Sequence, residues 1–420
     1  MVNSGIDGGI YPRGFDPAFD WPWPLVKAKS VVRLNYGRAL REGDRSLGQI
    51  PVYGTNGQCG FHNSALASGP GVILGRKGQG PLGVEWCDSD YWVIDTAYFV
   101  TPLDDRIDLR YFYYLTKYIG LNHLKDGTSN PGLSRDTFGD LLLPLPPMEV
   151  QLAIAGIVRE LDDKIELNRK MNETLETMAR ALFKSWFVDF DPVRAKAEGR
   201  DTSLPTPIAD LFPDSFEDSD HGEIPRGWPL KTMDEEFRIT MGQSPPGDTY
   251  SEENVGLPFY QGRTDFGDRY PRRRIYCSAP TRLAESGDTL VSVRAPVGSV
   301  NMAYERCCIG RGVAAVRHLS GASSYTCYAL QALKYVFNTF EAEGTVFGSI
   351  SKKDFHAIRQ PAPPPLVVGA FERLAGSLDQ GILANSAESD TLAELREVLL
   401  PRVISGELRI TAVRDEITAQ

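Results

Sequence analysis

Residues 75–80 read GRKGQG and residues 271–274 read PRRR, two short runs that set cations and an amide among turn-forming residues. Arginine and lysine in such places can bond phosphate oxygens, and arginine, asparagine and glutamine can bond the edges of bases. Neither run is a nucleotide-binding loop, because Gly80 is followed by Pro81 and Leu82 rather than by the Lys-Ser/Thr pair that reaches phosphate and magnesium. Other catalytic vocabulary is missing as well. There is no H-E-x-x-H and no G-x-S-x-G, and the five histidines stand singly. SPPG at 244–247 and PAPPPL at 361–366 lack the Asn or Asp and the aromatic of an amino-methyltransferase tetrapeptide. Cys59, Cys87, Cys277, Cys307, Cys308 and Cys327 form no C-x-x-C pair and no ligand-like spacing with histidine, so they read as thiols in a reducing compartment rather than a metal site.

What remains is recognition. In the first half the candidate contacts are Asn56, Gln58, Arg76, Lys77, Gln79 and Asn130. In the second they are Gln261, Arg263, Arg272, Arg273, Arg274, Arg294, Lys352 and Lys353. For each, the plainer alternative is a solvated charge or a turn-forming amide. The formal charge of −10 argues against a nucleic-acid partner only until it is located. Residues 189–223 hold ten acids and three bases, whereas 226–360 hold fourteen acids and seventeen bases, and 1–145 fifteen and fourteen. The acidity is concentrated in a linker, and the flanking regions stay compatible with phosphate contact.

These candidates belong to a repeated unit. LLLPLPPMEVQ at 141–151 returns as IRQPAPPPLVV at 358–368, and the shift of 217 holds without a gap from Gly127 to Phe187. It carries Ser134 onto Ser351, Phe138 onto Phe355, Leu161-Asp162 onto Leu378-Asp379 and Asn168 onto Asn385. Upstream the shift drifts: Trp23-Pro24-Leu25 meets Trp228-Pro229-Leu230 at 205, and Arg76 is matched to Arg294 at 218. The chain is a tandem duplication of a unit of about two hundred residues.

Each unit begins with short apolar runs (GVILG, YWVIDTAYFV, DTLVSVRAP, GVAAVRHL) bounded by turn residues, and one helical pattern interrupts each: LRYFYYLTKYIGLNHL and YTCYALQALKYVFNTF. That mixture predicts a compact α+β domain. A helical stripe follows, with Ile154, Ile157, Leu161, Ile165, Leu175, Met178, Leu182 and Trp186 at steps of three and four. Its second copy is Phe371, Leu374, Leu378, Ile382, Leu392, Leu395, Leu399 and Val403. A helix of about forty residues is about 60 Å long, more than one small domain can cover. The two copies are therefore expected to cover each other as an antiparallel, coiled-coil-like spacer, with Asn168 and Asn385 placed to fix register through a buried amide pair. Proline is tolerated only at a helix's start, so each proline run makes a stiff elbow that launches its helix. The expected divisions are an N-terminal extension (1–22), a first domain (23–143), a central helix (144–190), an acidic linker (191–225), a second domain (226–360), a C-terminal helix (361–410) and a tail (411–420).

Two diverged domains on a rigid spacer suit an asymmetric split DNA site, with half-sites about 34–36 Å apart for one helical turn. A free-standing two-headed regulator and a coiled-coil scaffold remain open on these residues alone. The stretch LPLPPMEVQLAIAGIVRELDDKIELNRKMNETLETMARALFKSWFVDFDPVRAKAEGR, followed by IADLFPDSF and GEIPRGW, resembles the central region and linker of specificity subunits of bacterial type I restriction-modification systems. The duplicated layout matches over nearly the whole chain; residues 1–22, with no second copy, do not.

The resemblance implies a non-catalytic subunit that binds double-stranded DNA and docks two methyltransferase subunits, and through them the restriction subunits. S-adenosylmethionine, ATP and Mg2+ would then be used by those partners, in a deoxyribonuclease and adenine-N6 methyltransferase complex, with no cofactor or metal bound here. Phe183, Trp186 and Phe187 are the candidate docking residues, with packing on the adjoining domain as the alternative. No run of about 18 apolar residues and no basic-then-apolar start is present, so no membrane is implied and a cytoplasmic place is expected.

Overall fold

The computed structural model describes residues 9–12, 20–127, 131–220, 222–342 and 348–408. The fold is α+β. It divides into two compact units, residues 1–167 with 388–420, and residues 168–387.

In the first unit, Val32–Tyr36, Ala97–Pro102, Gly71–Gly75 and Val84–Cys87 form a four-stranded antiparallel sheet in that spatial order. A smaller sheet joins Gly57–His62, Ile50–Gly54 and Trp92–Val93, the last pairing parallel through Val52 and Trp92. The second unit repeats the larger sheet, with Phe237–Met241, Val313–His318, Thr289–Ser292 and Val300–Met302 in the equivalent order. It repeats the parallel pairing too, between Phe259 and Cys308, within a sheet widened to five strands. One helix backs each large sheet. Leu109–Ile119 buries Tyr111, Phe112, Tyr113 and Tyr114, and Ser323–Ala332 buries Tyr325 and Tyr328.

Two different repeat shifts meet in one strand pair at the base of each domain. Leu25–Lys27 runs antiparallel to Leu142–Pro144, and Leu230–Thr232 to Arg359–Pro361. Leu145 N–H then bonds Pro24 O at 2.9 Å, and Ala362 N–H bonds Pro229 O at 2.8 Å. The proline runs are thereby tied to the start of their own domains. Pro147 and Pro364 lend their carbonyls to the first helical N–H groups, so each elbow is also the helix start.

The long helices are Met148–Phe187 and Pro365–Ser405. Within the first unit they run antiparallel, with Asp162 bonded to Arg396 and Lys164 3.1 Å from Glu388. Within the second, Asn168 Nδ2 donates to Asn385 O at 3.3 Å, and Leu175 packs near Gly381. The expected amide pair takes another form: Asn168 bonds backbone, while Asn385 Nδ2 donates to Asn172 Oδ1 at 2.9 Å.

Not every stripe residue lies in the seam. Ile154 and Val403 are buried in the first domain's core and Phe371 in the second's, whereas Ile382 is buried outside both cores, one turn before Asn385. Ile157, Leu161, Ile165, Leu175, Leu182, Leu378, Leu392 and Leu399 are half-buried. Met178, Leu374 and Leu395 are instead 54%, 40% and 41% exposed. Ala179 and Ala375, one position further on, are fully buried, and Arg396 beside Leu395 makes the ion pair to Asp162. Small residues let backbones approach closely, and the larger neighbour is turned outward.

The docking expectation for Phe183, Trp186 and Phe187 is overturned. Trp186 is 1% exposed, and all three lie in or against the core of the second unit. The acidic linker folds back over them: Phe212 stacks edge-on to Trp186 at 5.1 Å, and Phe190 and Phe187 both flank Trp228.

Candidate nucleic-acid interface

The first domain gathers its candidates around two turns. The hairpin tip at Gly54–Gly57 abuts the glycine loop, since Gly83 N–H bonds Thr55 O at 2.8 Å and Thr55 Oγ1 donates to Lys77 O at 2.6 Å. Lys125 Nζ donates to the carbonyls of Gly78 (2.9 Å) and Gly80 (2.6 Å), which fixes the loop from beneath. Asn56, Lys77 and Gln79 are exposed at this junction, and Gln58 is exposed along the adjoining strand. Glu85 lies behind the tip, where burial raises its carboxyl above the ordinary range. Asn130 lies outside the described residues.

Arg76 is not a solvated charge. Its guanidinium donates to Asp95 O at 2.9 Å and sits 4.6 Å from the Tyr36 ring, which also carries Arg135 at 4.4 Å. Tyr36 and Arg135 were not among the sequence candidates. Arg135 was legible through the repeat, because the shift of 217 carries it onto Lys352.

In the second domain the buried carboxylate of Asp265 is a hub. It accepts from Gln261 N at 2.6 Å and from Arg274 Nη2 at 2.9 Å, while Asp265 O accepts from Arg272 N. Arg273 is bonded to Glu305 at 2.6 Å, and Arg263 turns back to Phe266 O at 3.2 Å. Of the three consecutive arginines, Arg272 alone makes no ion pair among the described residues. The PRRR run is therefore a braced loop presenting one free guanidinium. Arg294 pairs with Ser349, and Lys352 lines a shallow cleft with Thr232, Asp234, Lys353 and His356.

The match of Arg76 to Arg294 is corrected by backbone pairing. Arg294 pairs with Ser349 as Lys77 pairs with Gly132, and Ile350 N–H bonds Val293 O as Leu133 N–H bonds Arg76 O. All these positions differ by 217, so Arg294 corresponds to Lys77 and Val293 to Arg76. A local likeness of arginines had suggested a one-residue slip that the sheet edge does not contain.

No group of three or more potential metal ligands occurs among the described residues. The arrangement offers donors on turns, held by buried braces, in two copies with different side chains.

Residues 22–177 match the family described as the type I restriction modification DNA specificity domain. The chain is 29% identical over 318 residues to a putative type I restriction enzyme MjaX specificity subunit of Methanocaldococcus jannaschii, covering 74% of this chain and 70% of that one. By sequence, the chain is similar to type I specificity subunits over about three quarters of its length. The HindI specificity subunit of Haemophilus influenzae is 26% identical over 395 residues, covering 79% of this chain and 85% of the relative. In fold, a type I restriction-modification S subunit from M. genitalium aligns with a TM-score of 0.59 at 15% identity, over 94% of this chain and 99% of that one. That likeness extends the α+β architecture of the specificity subunits across both units.

Proposed function

We propose that the chain is the non-catalytic DNA-reading subunit of a type I restriction-modification complex, recognising an asymmetric split site with one half-site per domain. The observation that carries this reading is the duplicated domain itself. Two copies share sheet order and pairing, yet present different side chains on their turns: Asn56 and Gln79 in one, Gln261 and Arg272 in the other. Like scaffolds with unlike donors read unlike sequences, since base edges are distinguished by donor and acceptor pattern. The similarity to specificity subunits supports the same assignment.

Methyl transfer from S-adenosylmethionine and ATP- and Mg2+-dependent cleavage then belong to partner subunits. Docking of two methyltransferase subunits, and of restriction subunits through them, falls to apolar side chains left outward on the long helices. In the first unit these include Leu152, Leu395 and Val398; in the second, Met171, Met178 and Leu374.

The test is genome-wide adenine methylation in a host lacking the chain, before and after co-expression with its methyltransferase. One new split motif is the expected outcome, and exchanging residues 23–143 for those of a relative alters one half of it only. Absence of any motif, with the methyltransferase active beside another specificity subunit, rejects the assignment in favour of a regulator or scaffold.

A further inference from the structure

The internal repeat separates what the two domains share from what they do not. Around the sheet edge the correspondence at 217 is complete in the backbone. Leu133 N–H bonds Arg76 O (2.8 Å) as Ile350 N–H bonds Val293 O (3.1 Å), and Gly78 N–H bonds Pro131 O (3.2 Å) as Ala295 N–H bonds Gly348 O (2.9 Å). Two residues beyond this pairing, a short helix opens in each copy, capped by Ser134 and Ser351, whose hydroxyls accept from Thr137 N (2.9 Å) and Asp354 N (3.2 Å).

Side chains on this frame diverge almost everywhere. Arg76 becomes Val293, Gln79 becomes Pro296, and Tyr36 aligns with Met241. Positive charge persists at two places: Lys77 is matched by Arg294, and Arg135 by Lys352. All four are exposed, and none makes an ion pair among the described residues. Elsewhere in the second domain Arg273, Arg274 and Arg317 are braced by Glu305, Asp265 and Asp288, while Arg272 is left without an ion pair among the described residues.

We infer that Lys77 with Arg135, and Arg294 with Lys352, are equivalent phosphate clamps that each domain sets on the DNA backbone whatever sequence it reads. The inference rests on the DNA-reading assignment and adds a division of labour to it. A ligand feature common to both half-sites calls for a contact common to both domains, and the phosphodiester backbone is that feature; base edges are not. Cations with no carboxylate partner among the described residues suit a contact to phosphate, Arg135 being steadied by the Tyr36 ring, while the diverged neighbours Asn56, Gln79, Gln261 and Arg272 are left to discriminate bases.

The experiment is binding of a fluorescein-labelled duplex by the full chain between about 50 and 200 mM salt. Each neutralised phosphate contributes about 0.9 to the slope of log affinity against log salt. The double variants Lys77→Ala/Arg135→Ala and Arg294→Ala/Lys352→Ala are each expected to flatten that slope by about 1.8. Half-site preference and thermal melting stay unchanged. The charge-keeping pair Lys77→Arg and Arg294→Lys retains the full slope. An unchanged slope in both double variants, or a lost half-site preference at constant slope, overturns the clamp while leaving the DNA-reading assignment standing. A wild-type chain whose DNA binding shows no salt dependence overturns both.

Discussion

Arg269 shows how much of this surface is determined from beneath. It leaves the loop that carries the three arginines and points inward, 5% exposed, donating from Nη2 to Asp379 Oδ1 on the C-terminal helix at 2.6 Å. Tyr328 Oη donates to the same oxygen at 2.8 Å, and Glu176 on the central helix lies 4.0 Å from Nη1. Breaking a buried pair from one side leaves an uncompensated charge and costs about 3–5 kcal/mol. Arg269→Met is therefore expected to lower the urea midpoint of the full chain strongly. Adding Asp379→Leu to it restores most of the loss, because two apolar side chains need no partner. A single variant as stable as the double one would show that the pair is not buried in solution. Thiol chemistry gives a second test at this scale. Cys59 is exposed and the other five cysteines are buried, with burial pushing the Cys307 thiol up to about 12. Native labelling with a maleimide is expected to modify Cys59 alone, as read by peptide mass. Neither feature was visible in the residue string, which shows Arg269 and the PRRR run as neighbouring charges and says nothing of which are braced.

Helices and elbows were far more legible than the faces they present. Steps of three and four over some forty positions predict a long helix whatever its partner, and the repeat supplies a second one. The same steps cannot tell a helix–helix seam from a domain contact. Ile154, Phe371 and Val403 went to domain cores, and Met178, Leu374 and Leu395 went outward beside better-fitting neighbours. Trp186 was ambiguous for the same reason: an aromatic near a helix end reads alike whether a partner or a folded linker covers it. The elbows, by contrast, are fixed by proline chemistry and by a few bonds. Gln151 is fully buried, accepts from Asp108 N at 2.9 Å and donates to Arg106 O and Pro146 O at 2.8 Å. Gln151→Ala leaves one donor and two acceptors unsatisfied, with an expected cost of about 1–3 kcal/mol in chemical unfolding. Hydrogen exchange at Asp108 N rises with it. Retained protection at that amide would rule out the bracing role.

The two units differ in how the chain supplies them. Residues 168–387 are contiguous, whereas the first unit combines 1–167 with 388–420. Leu400, Val403 and Ile404 fill the first domain's core, and Trp23 Nε1 donates to Ile404 O at 2.9 Å. A fragment of residues 168–387 is thus expected to fold alone with a cooperative melt. Residues 1–167 are expected to remain poorly folded until a 388–420 peptide is added in trans. Cooperative folding of 1–167 without it would contradict this arrangement. The duplication was legible as a sequence shift, but the interleaving was not, because a repeat read along the chain assigns each helix whole to the domain before it.

That interleaving bears on how one unit can be exchanged between related chains by recombination. The borders of the contiguous unit fall inside the two long helices, at positions 167/168 and 387/388, rather than in the loops that usually tolerate exchange. A cassette exchanged at those points would bring half of each helix along with its domain, including Asn168, Asn172 and Asn385 with their mutual bonds. Compatibility between donor and recipient would then be decided by helical phase at two junctions. In a helix a whole-turn change in length keeps the facing side chains in phase, whereas a single-residue change turns the next side chains by about 100°.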